Sequence, residues 1–258
     1  MNNELLFLGT GASAGVPVIG CRCKVCTSTS ACNKRLRPSL LIKAEGKTFI
    51  IDVGPDFREQ ALKYKIEHLD GVLLTHSHYD HIGGIDDLRA YYFLQKKRMP
   101  CLLSQETFDE LKVRYYYMMK PMKDGHGISA QLDFFVLEKE DGEVEFEGVK
   151  WQYMSYIQAD MKVTGFRLGS MAYVSDIRKY EEGLFHSLKG VDLLILSALR
   201  SEPTHMHFSI EEAVAFSKKV GAKQTWLTHI SHDLDHEEVS QKLPHNVRLS
   251  YDGLQISF

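Results

Sequence analysis

The amino-acid sequence predicts an α/β protein in which two β-sheets pack together and helices cover the outer faces of both sheets. Three observations predict this fold class. Strand-like apolar segments dominate both halves of the chain, segments with helical patterns lie between them, and no linker or low-complexity stretch separates the halves. Because sheets and helices each bury one face against another layer, this order of elements predicts a single layered domain over residues 1–258.

The N-terminal half is predicted to contain four strands and one longer helix. The predicted strands are residues 5–8, 39–42, 48–53 and 72–75. Glu45 and Gly46 form a turn signal between the second and third strands, which predicts a β-hairpin. The fourth strand leads directly into His76, and residues 106–119 are predicted to be helical.

The C-terminal half continues this pattern with more strands. The predicted strand regions are residues 134–174, which contain several turns, and residues 191–196, 225–228 and 248–258. Ser209 and Glu212 have the spacing of a capping box ahead of a helix at residues 213–220, and Gly221 is the expected stop. The strand at residues 225–228 leads directly into a histidine, His229, as the fourth strand does.

The composition is that of an ordinary globular protein. Hydrophobic residues make up 44% of the chain, and 31 Lys and Arg against 34 Asp and Glu give a formal net charge of −3. This balance argues against a disordered chain and against nucleic acid as the main partner, because nucleic-acid-binding domains carry a basic excess. The first residues lack the basic segment of a signal peptide, and no apolar run approaches the ~18 residues that span a bilayer. We therefore expect a cytoplasmic protein without a membrane partner.

The most informative segment is a cluster of histidines at the end of a predicted strand. His76, His78, Asp80 and His81 lie within six residues. Zinc, manganese and iron are bound by imidazole and carboxylate ligands, so this spacing predicts a metal site. The alternative is a solvated loop that happens to contain histidines, and four such residues at this spacing argue against it.

A second cluster consists of cysteines near the N-terminus. Cys21, Cys23 and Cys26 have the spacing C-x-C-x-x-C. A structural zinc normally has four ligands, and His232 is the candidate for the fourth. One turn between His229 and His232 would direct the first toward the active site and the second toward the cysteines. The alternative is a set of reduced thiols without a metal.

Together these motifs resemble the metallo-β-lactamase superfamily. The H-x-H-x-D-H motif at residues 76–81 is followed by two glycines, and the other matching motifs occur in the family's order over nearly the whole chain. These motifs are Gly9-Thr10-Gly11, Asp52-x-Gly54, Ser175-Asp176 and Leu227-Thr228-His229. The resemblance implies an αββα sandwich with two divalent metal ions, zinc or manganese, at the edges of the sheets.

The resemblance also implies a role for each ligand. His76 and His78 would hold the first metal, and Asp80 and His81 would hold the second. Asp176 would bridge the two metals, and its assignment depends mainly on the resemblance. His229 would complete the second site.

One ligand of the family pattern is missing from this sequence. The family places a histidine before the strand at residues 163–167, and this position falls on Gln158. Glutamine can coordinate through its carbonyl oxygen but binds these metals more weakly than imidazole. Asp160 would be a substitute if the loop shifted. The first metal site is therefore expected to be weaker, differently populated or empty.

The cysteine motif narrows the resemblance to the PhnP-like phosphodiesterases, with the PqqB-like proteins next. The chain end Tyr251-Asp252-Gly253-Leu254 also resembles the PhnP-like branch. In that branch Cys21, Cys23, Cys26 and His232 would hold a structural zinc. Members of the branch often dimerise, so a homodimer is an open alternative to a monomer.

The leading hypothesis is a phosphodiesterase that attacks a small or cyclic phosphate ester with a metal-activated hydroxide. Asp80 could orient the hydroxide. His207, two residues before the helix cap Ser209, is the candidate general acid, and His205 is its alternative. Competing hypotheses are a hydrolase of another bond (a thioester, a lactam or the phosphodiester of a nucleic acid) and a metal-binding protein whose site has degenerated because of Gln158.

Overall fold

The computed structural model describes residues 3–119 and 129–258, and within them two seven-stranded sheets. The first sheet consists of β1 (Glu4–Gly9), β2 (Ser39–Ala44), β3 (Lys47–Ile51), β4 (Gly71–Leu73), β5 (Met99–Ser104), β6 (Leu132–Leu137) and β14 (Gln255–Ser257). The second consists of β7 (Asp141–Phe146), β8 (Val149–Gln158), β9 (Met161–Leu168), β10 (Met171–Val174), β11 (Leu193–Ser197), β12 (Gln224–Thr228) and β13 (Val247–Leu249). The strand orders are β14-β1-β2-β3-β4-β5-β6 and β13-β12-β11-β10-β9-β8-β7.

Both sheets are mixed, and their parallel halves determine where the functional loops lie. In the first sheet β3, β4, β5 and β6 pair in parallel, and in the second β10, β11, β12 and β13 do so. Parallel neighbours end at the same edge of a sheet, so the loops that follow them are brought together. The remaining pairs are antiparallel, including the predicted hairpin of β2 and β3.

Apolar side chains from both sheets form the central core. Phe49 of β3 meets Trp151 of β8 edge-on, with ring centroids 5.3 Å apart, and both side chains are fully buried. Such aromatic pairs bury a large apolar area between the two layers. This central layer places the two sheets face to face, as the sequence predicts.

Helices cover the outer face of each sheet. The eight helices are α1 (Lys24–Thr27), α2 (Phe57–Lys63), α3 (Tyr79–Ile82), α4 (Arg89–Gln95), α5 (Gln105–Arg114), α6 (Leu184–Ser187), α7 (Ile210–Val220) and α8 (His236–Ser240) within the described part of the chain. Buried residues of α2, α4 and α5 pack on the first sheet, and those of α6 and α7 pack on the second. The predicted αββα sandwich is therefore confirmed.

Most predicted elements are present, with three differences. The predicted helix at 106–119 ends at Arg114 and continues as a 3₁₀ turn, Tyr116–Met119. Strand β5 was not predicted from the sequence; it is a central strand that contains Pro100, and proline normally argues against a central position. The predicted strand at 72–75 ends as a strand at Leu73.

The capping box of α7 is confirmed. The backbone N–H of Glu212 donates to Ser209 Oγ, the N–H of Ser209 donates back to the Glu212 carboxylate, and Gly221 ends the helix at φ 77°. At 11 residues α7 is the longest helix within residues 3–119 and 129–258, and no helix in these ranges has the length and apolarity to cross a membrane.

Candidate metal centres

Three segments that follow strand ends bring buried ligand side chains together. We call this the strand-end cluster; its members are His76, Asp80, His81, Asp176 and His229. Each of these five side chains is at most 5% exposed. His76 follows β4, Asp80 and His81 lie in the short helix α3, and Asp176 and His229 follow β10 and β12. The structure thus brings together five of the six ligands predicted from the sequence and the resemblance.

Three residues that follow strand ends around the cluster have an unusual backbone conformation. Asp52, Asp176 and His229 have φ values of 63°, 56° and 62°, in the left-handed region. This region costs a residue other than glycine about 1–3 kcal/mol and persists only where its surroundings enforce it. Backbone strain of this kind, repeated at three strand ends around one cluster, is typical of a functional site.

Asp176 lies at the centre of the cluster and uses its two oxygens differently. Its Oδ2 is 3.1 Å from His81 Nε2, and its Oδ1 is 3.3 Å from His229 Nε2. Asp80 Oδ2 is 3.3 Å from the same atom of His229. Two ligand atoms that share a tetrahedral zinc lie about 3.3 Å apart, given metal–ligand bonds of about 2.0–2.1 Å. The separations therefore fit metal coordination, with Asp176 in the position of a bridge.

Opposite charges inside the cluster hold its carboxylates ionised. Burial by itself would raise the pKa of Asp80 and Asp176, but the charges of His81 and His229 overcome it, and both pKa values lie below the usual range. Burial would lower the pKa of His81 and His229, and the nearby carboxylates raise it instead. Burial lowers the pKa of His76, which favours the neutral form. Ionised carboxylates and neutral imidazoles are the forms that bind metals, so His81 and His229 would each release a proton when a metal binds.

An unpartnered nitrogen supports the assignment of this cluster to a cation. His81 Nε2 is fully buried and has no hydrogen-bond partner among the described residues, although Asp80 and Asp176 lie nearby. A buried polar atom without a partner is costly, and native structures contain few of them. A metal ion between these three side chains would satisfy that nitrogen, so the residues fit the divalent metals that the resemblance implies.

His78 is placed next to the cluster rather than inside it. Its Nδ1 is 3.0 Å from His76 Nε2, and its side chain is half-buried. Within the described ranges it belongs to none of the buried groups of three or more close ligand atoms. The pairing with His76 agrees with the predicted first metal site, whose ligation by these two histidines stays a prediction.

Gln158, at the end of β8, reaches into the strand-end cluster. Its side chain is 1% exposed, and its Nε2 is 3.0 Å from Asp176 Oδ1. The other amide atom, Oε1, is buried without a hydrogen-bond partner in the described part of the protein. Asp160, its predicted substitute, is exposed in the tight turn between β8 and β9 and does not approach the cluster.

His207, which the sequence predicts as a catalytic residue, also lies against Asp176. The sequence did not predict this contact. Its Nδ1 is 3.2 Å from Asp176 Oδ1, and its ring stacks on that of His229 at a centroid distance of 4.8 Å. Burial lowers the pKa of His207 to about 4, so the imidazole is neutral at pH 7. A general acid must carry a proton to donate, and its predicted role as the acid stays a prediction. His205, the alternative acid, is exposed.

Asp52 is a candidate positioning residue to which the sequence analysis assigned no role. Its Oδ2 is 2.6 Å from His81 Nδ1, and it accepts hydrogen bonds from the N–H and hydroxyl of Thr75. A carboxylate behind a metal-binding histidine fixes the tautomer and orientation of its ring. The available signal was Asp52-x-Gly54. Gly54 lies so close to Asp80 that an added Cβ would be 2.1 Å from the Asp80 carbonyl oxygen.

The cysteine cluster, formed by Cys21, Cys23, Cys26 and His232, is a second candidate metal centre. The three Sγ atoms lie 3.4, 3.5 and 3.6 Å from His232 Nδ1. A tetrahedral zinc with Zn–S of about 2.3 Å and Zn–N of about 2.0 Å separates sulfur and nitrogen by about 3.5 Å. The structure therefore assembles the four predicted ligands in a geometry that suits zinc, and all five cysteines of the chain are free thiols.

The surroundings of Cys23 favour the thiolate form of its side chain. The backbone N–H of Cys26 and the ring of His232 lower the pKa of Cys23 to about 6, so its thiolate predominates at pH 7. The thiolate is the form of cysteine that binds metal.

Comparisons with known proteins show the family and the shared fold. The family model of the beta-lactamase superfamily domain matches residues 47–230. A crystal structure of a diphosphatase from the PhnP family has a TM-score of 0.92 and 37% sequence identity, and the match covers 100% of this chain and 98% of that one. Zn²⁺-bound PqqB from Methylobacterium extorquens has a TM-score of 0.78 at 18% identity, covering 99% and 100%, and shows the shared fold alone.

A curated relative is longer than this chain. The octanoyltransferase of Porphyromonas gingivalis (strain ATCC BAA-308 / W83) is 34% identical over 97% of this chain but only 50% of its own length. The chain thus spans about half of that relative.

Proposed function

The chain belongs to the beta-lactamase superfamily, and from this premise we propose that it is a phosphodiesterase that acts on a small or cyclic phosphate ester. The superfamily membership and the PhnP-family neighbour support a metal-dependent hydrolase. The observation that carries the proposal is Asp176, a buried carboxylate whose two oxygens face His81 and His229 separately. Such a carboxylate can bridge two metal ions, and two-metal sites are typical of enzymes that cleave phosphate esters.

Six residues would hold the active-site metals. They are His76, His78, Asp80, His81, Asp176 and His229, with zinc or manganese as the expected ions. When bound, these ions supply a hydroxide nucleophile at neutral pH and neutralise charge on the phosphoryl oxygens. The cysteine cluster would hold a further, structural zinc.

The protein side chains do the remaining work. The low pKa of Asp80 keeps its carboxylate ionised, so that it can accept a hydrogen bond from the attacking water or hydroxide and orient it. Asp52 holds the ring of His81 through the 2.6 Å contact with Nδ1, which leaves Nε2 for the metal centre. The burial of the cluster excludes bulk water and strengthens each of these electrostatic contacts.

The substrate class is proposed from charge and from the PhnP-family neighbour. A chain with a net charge of −3 lacks the basic excess expected for a nuclease, which favours a small ester. The neighbour is described as a diphosphatase, so a diphosphate bond is the second substrate to test. Acyl transfer is not proposed, because this chain matches only 50% of the length of the octanoyltransferase.

Hydrolysis of bis(p-nitrophenyl) phosphate tests the proposal. The metal-free protein is assayed with added zinc, manganese or nickel, beside an inorganic diphosphate and a thioester. We expect phosphodiester turnover that requires metal and is lost in His81→Ala, whereas His68→Ala, which removes an exposed histidine, keeps it. A folded, metal-loaded protein that hydrolyses none of the phosphate substrates would rule out the proposal. Activity that appears only in Gln158→His would indicate a degenerate site instead.

A further inference from the structure

Three side chains converge on one oxygen of the central carboxylate. His207 Nδ1, His229 Nε2 and Gln158 Nε2 lie 3.2, 3.3 and 3.0 Å from Asp176 Oδ1. Asp176, His207 and His229 also form a buried group whose ligand atoms all lie within 4.8 Å of one another. His207 is 6% exposed, so it is as much a part of the interior as the predicted ligands around it.

We propose that His207 is a ligand of the active-site metal centre, on the Oδ1 side of Asp176, where it replaces the histidine missing at position 158. The proposal rests on the metal-dependent function put forward above. In this arrangement Gln158 is the hydrogen-bond partner of His207 rather than the main ligand.

The amide of Gln158 provides an independent indication. In the orientation found, its Nε2 lies 3.0 Å from His207 Nε2, and its Oε1 is buried without a partner among residues 3–119 and 129–258. Rotating the amide by 180° exchanges its oxygen and nitrogen, which are assigned from the hydrogen-bond network. Oε1 would then accept the Nε2–H of His207, which leaves Nδ1 free to bind metal. A metal-binding histidine usually donates its other N–H to a carbonyl or carboxylate in this way.

Metal binding and this amide orientation favour each other. The rotated amide brings Gln158 Oε1 to the position now held by Nε2, 3.0 Å from Asp176 Oδ1. Two acceptors at that distance repel each other in the absence of a cation, and a cation against Asp176 Oδ1 removes the repulsion. In the metal-free protein the amide therefore donates to Asp176, and in the metal-bound protein it accepts from His207.

The backbone holds His207 in place before any metal binds. The N–H of His207 donates to Thr204 Oγ1 at 2.9 Å, and the hydroxyl of Thr204 donates to the His207 carbonyl oxygen at 2.9 Å. Ser209, two residues later, caps α7. A ligand whose segment is fixed on both sides loses little conformational entropy on binding, so the site is preorganised.

Metal binding rather than activity tests this inference. Metal per chain is measured by mass spectrometry after dialysis, and affinity by competition with a chromophoric chelator, for the wild type and His207→Ala. We expect His207→Ala to lose one active-site metal or to bind it more weakly by about tenfold or more. The zinc of the cysteine cluster serves as an internal reference. His205→Ala, the exposed histidine two residues away, is the matched control and should bind metal as the wild type does.

A second pair of variants keeps the test decisive. His207→Gln retains a polar side chain in the buried site and replaces His207→Ala if that variant does not fold. Gln158→His combined with His207→Ala should recover the lost metal, because position 158 lies against the same oxygen of Asp176.

Three results would overturn the inference. The first is wild-type metal content and affinity in both His207 variants, and the second is a double variant that recovers no metal. The third is a loss of phosphodiester hydrolysis in His207→Ala with unchanged metal binding, which would make His207 a general acid. If the wild type hydrolyses no phosphodiester but the His207 variants lose metal as expected, the proposed function is refuted and the ligand assignment stands.

Discussion

The strand-end cluster and the cysteine cluster are built in opposite ways. The strand-end cluster collects ligands from three distant segments, and each of its side chains is at most 5% exposed. The cysteine cluster takes three ligands from six consecutive residues and one from far along the chain, and Cys21, Cys23 and His232 are only partly buried. The difference suits the roles proposed for the two clusters, which are chemistry in a water-poor site for the first and the joining of two loops for the second.

The two clusters are nevertheless physically connected. His229 and His232 lie in one short segment after β12, and Ile230 between them exchanges backbone hydrogen bonds with Thr10 and Ala12 at 2.9 and 3.0 Å. A metal in the cysteine cluster would therefore hold in place the same segment that presents His229 to the strand-end cluster. Variants of each cluster can separate the chemical role from the fastening role.

The largest expected effect follows from Asp176→Asn, which keeps the shape of the side chain and removes its charge. The buried histidines around it lose their shared counter-charge, and both proposed metals would lose a ligand. Since partners outside the direct ligands already cost about 10–100-fold in metal affinity or activity, we expect metal-dependent turnover to fall by more than about 100-fold. Steady-state kinetics measures this. Asp160→Asn, in the exposed turn after β8, is the matched control, and an equal loss there would contradict the assignment.

Cys23→Ser should lower stability more than it lowers chemistry. A native state that binds a ligand is stabilised by about 4 kcal/mol when the free ligand is at 1,000 times its Kd. Cys23→Ser would lose the stabilisation that zinc binding gives to the native state. Thermal unfolding with and without a chelator measures the loss. Cys32→Ser, which changes a free thiol outside the cluster, should unfold like the wild type. If Cys23→Ser and the wild type responded equally to the chelator, the cysteine cluster would not be a metal site.

Asp52→Asn should have an intermediate effect confined to the strand-end cluster. The substitution weakens the 2.6 Å contact to His81 Nδ1, so the ring is less well oriented toward the metal centre. We expect metal affinity or turnover in the strand-end cluster to fall by about 10–100-fold, while the zinc proposed for the cysteine cluster is retained. Metal titration of the two clusters checks this, and loss of both metals together would instead indicate general unfolding.

The smallest effect is a shift in the pH dependence of alkylation in the metal-free protein. Because the pKa of Cys23 is lowered to about 6, the thiolate forms as the pH rises through that value, well below the range of an ordinary thiol. The rate of alkylation by iodoacetamide, followed by peptide mass spectrometry, should reach half its maximum near pH 6. Cys101, whose pKa is raised by complete burial, should stay unmodified in the folded protein. A midpoint above pH 8 for Cys23 would contradict the prediction.

The sequence predicted those parts of the two sites whose ligands lie close together along the chain. The segment from His76 to His81 and the motif from Cys21 to Cys26 each place several ligands within six residues, so their spacing alone indicated metal. Asp176 needed the family resemblance, because a single aspartate after a strand has many other uses. Strand β5 was not predicted. It contains Pro100, and proline argues against a strand that has a neighbour on both sides.

By itself, then, the sequence determined the layered α/β class, the order of most elements and the local ligand motifs, since hydrophobic pattern and short spacing are written along the chain. Only the tertiary structure brought Asp52 behind His81 and set Gln158 and His207 against the same oxygen of Asp176. These contacts depend on which strands end side by side and on left-handed turns at the strand ends. Strand register and sheet packing arise from the whole core, and no local pattern around any one of these residues specifies them.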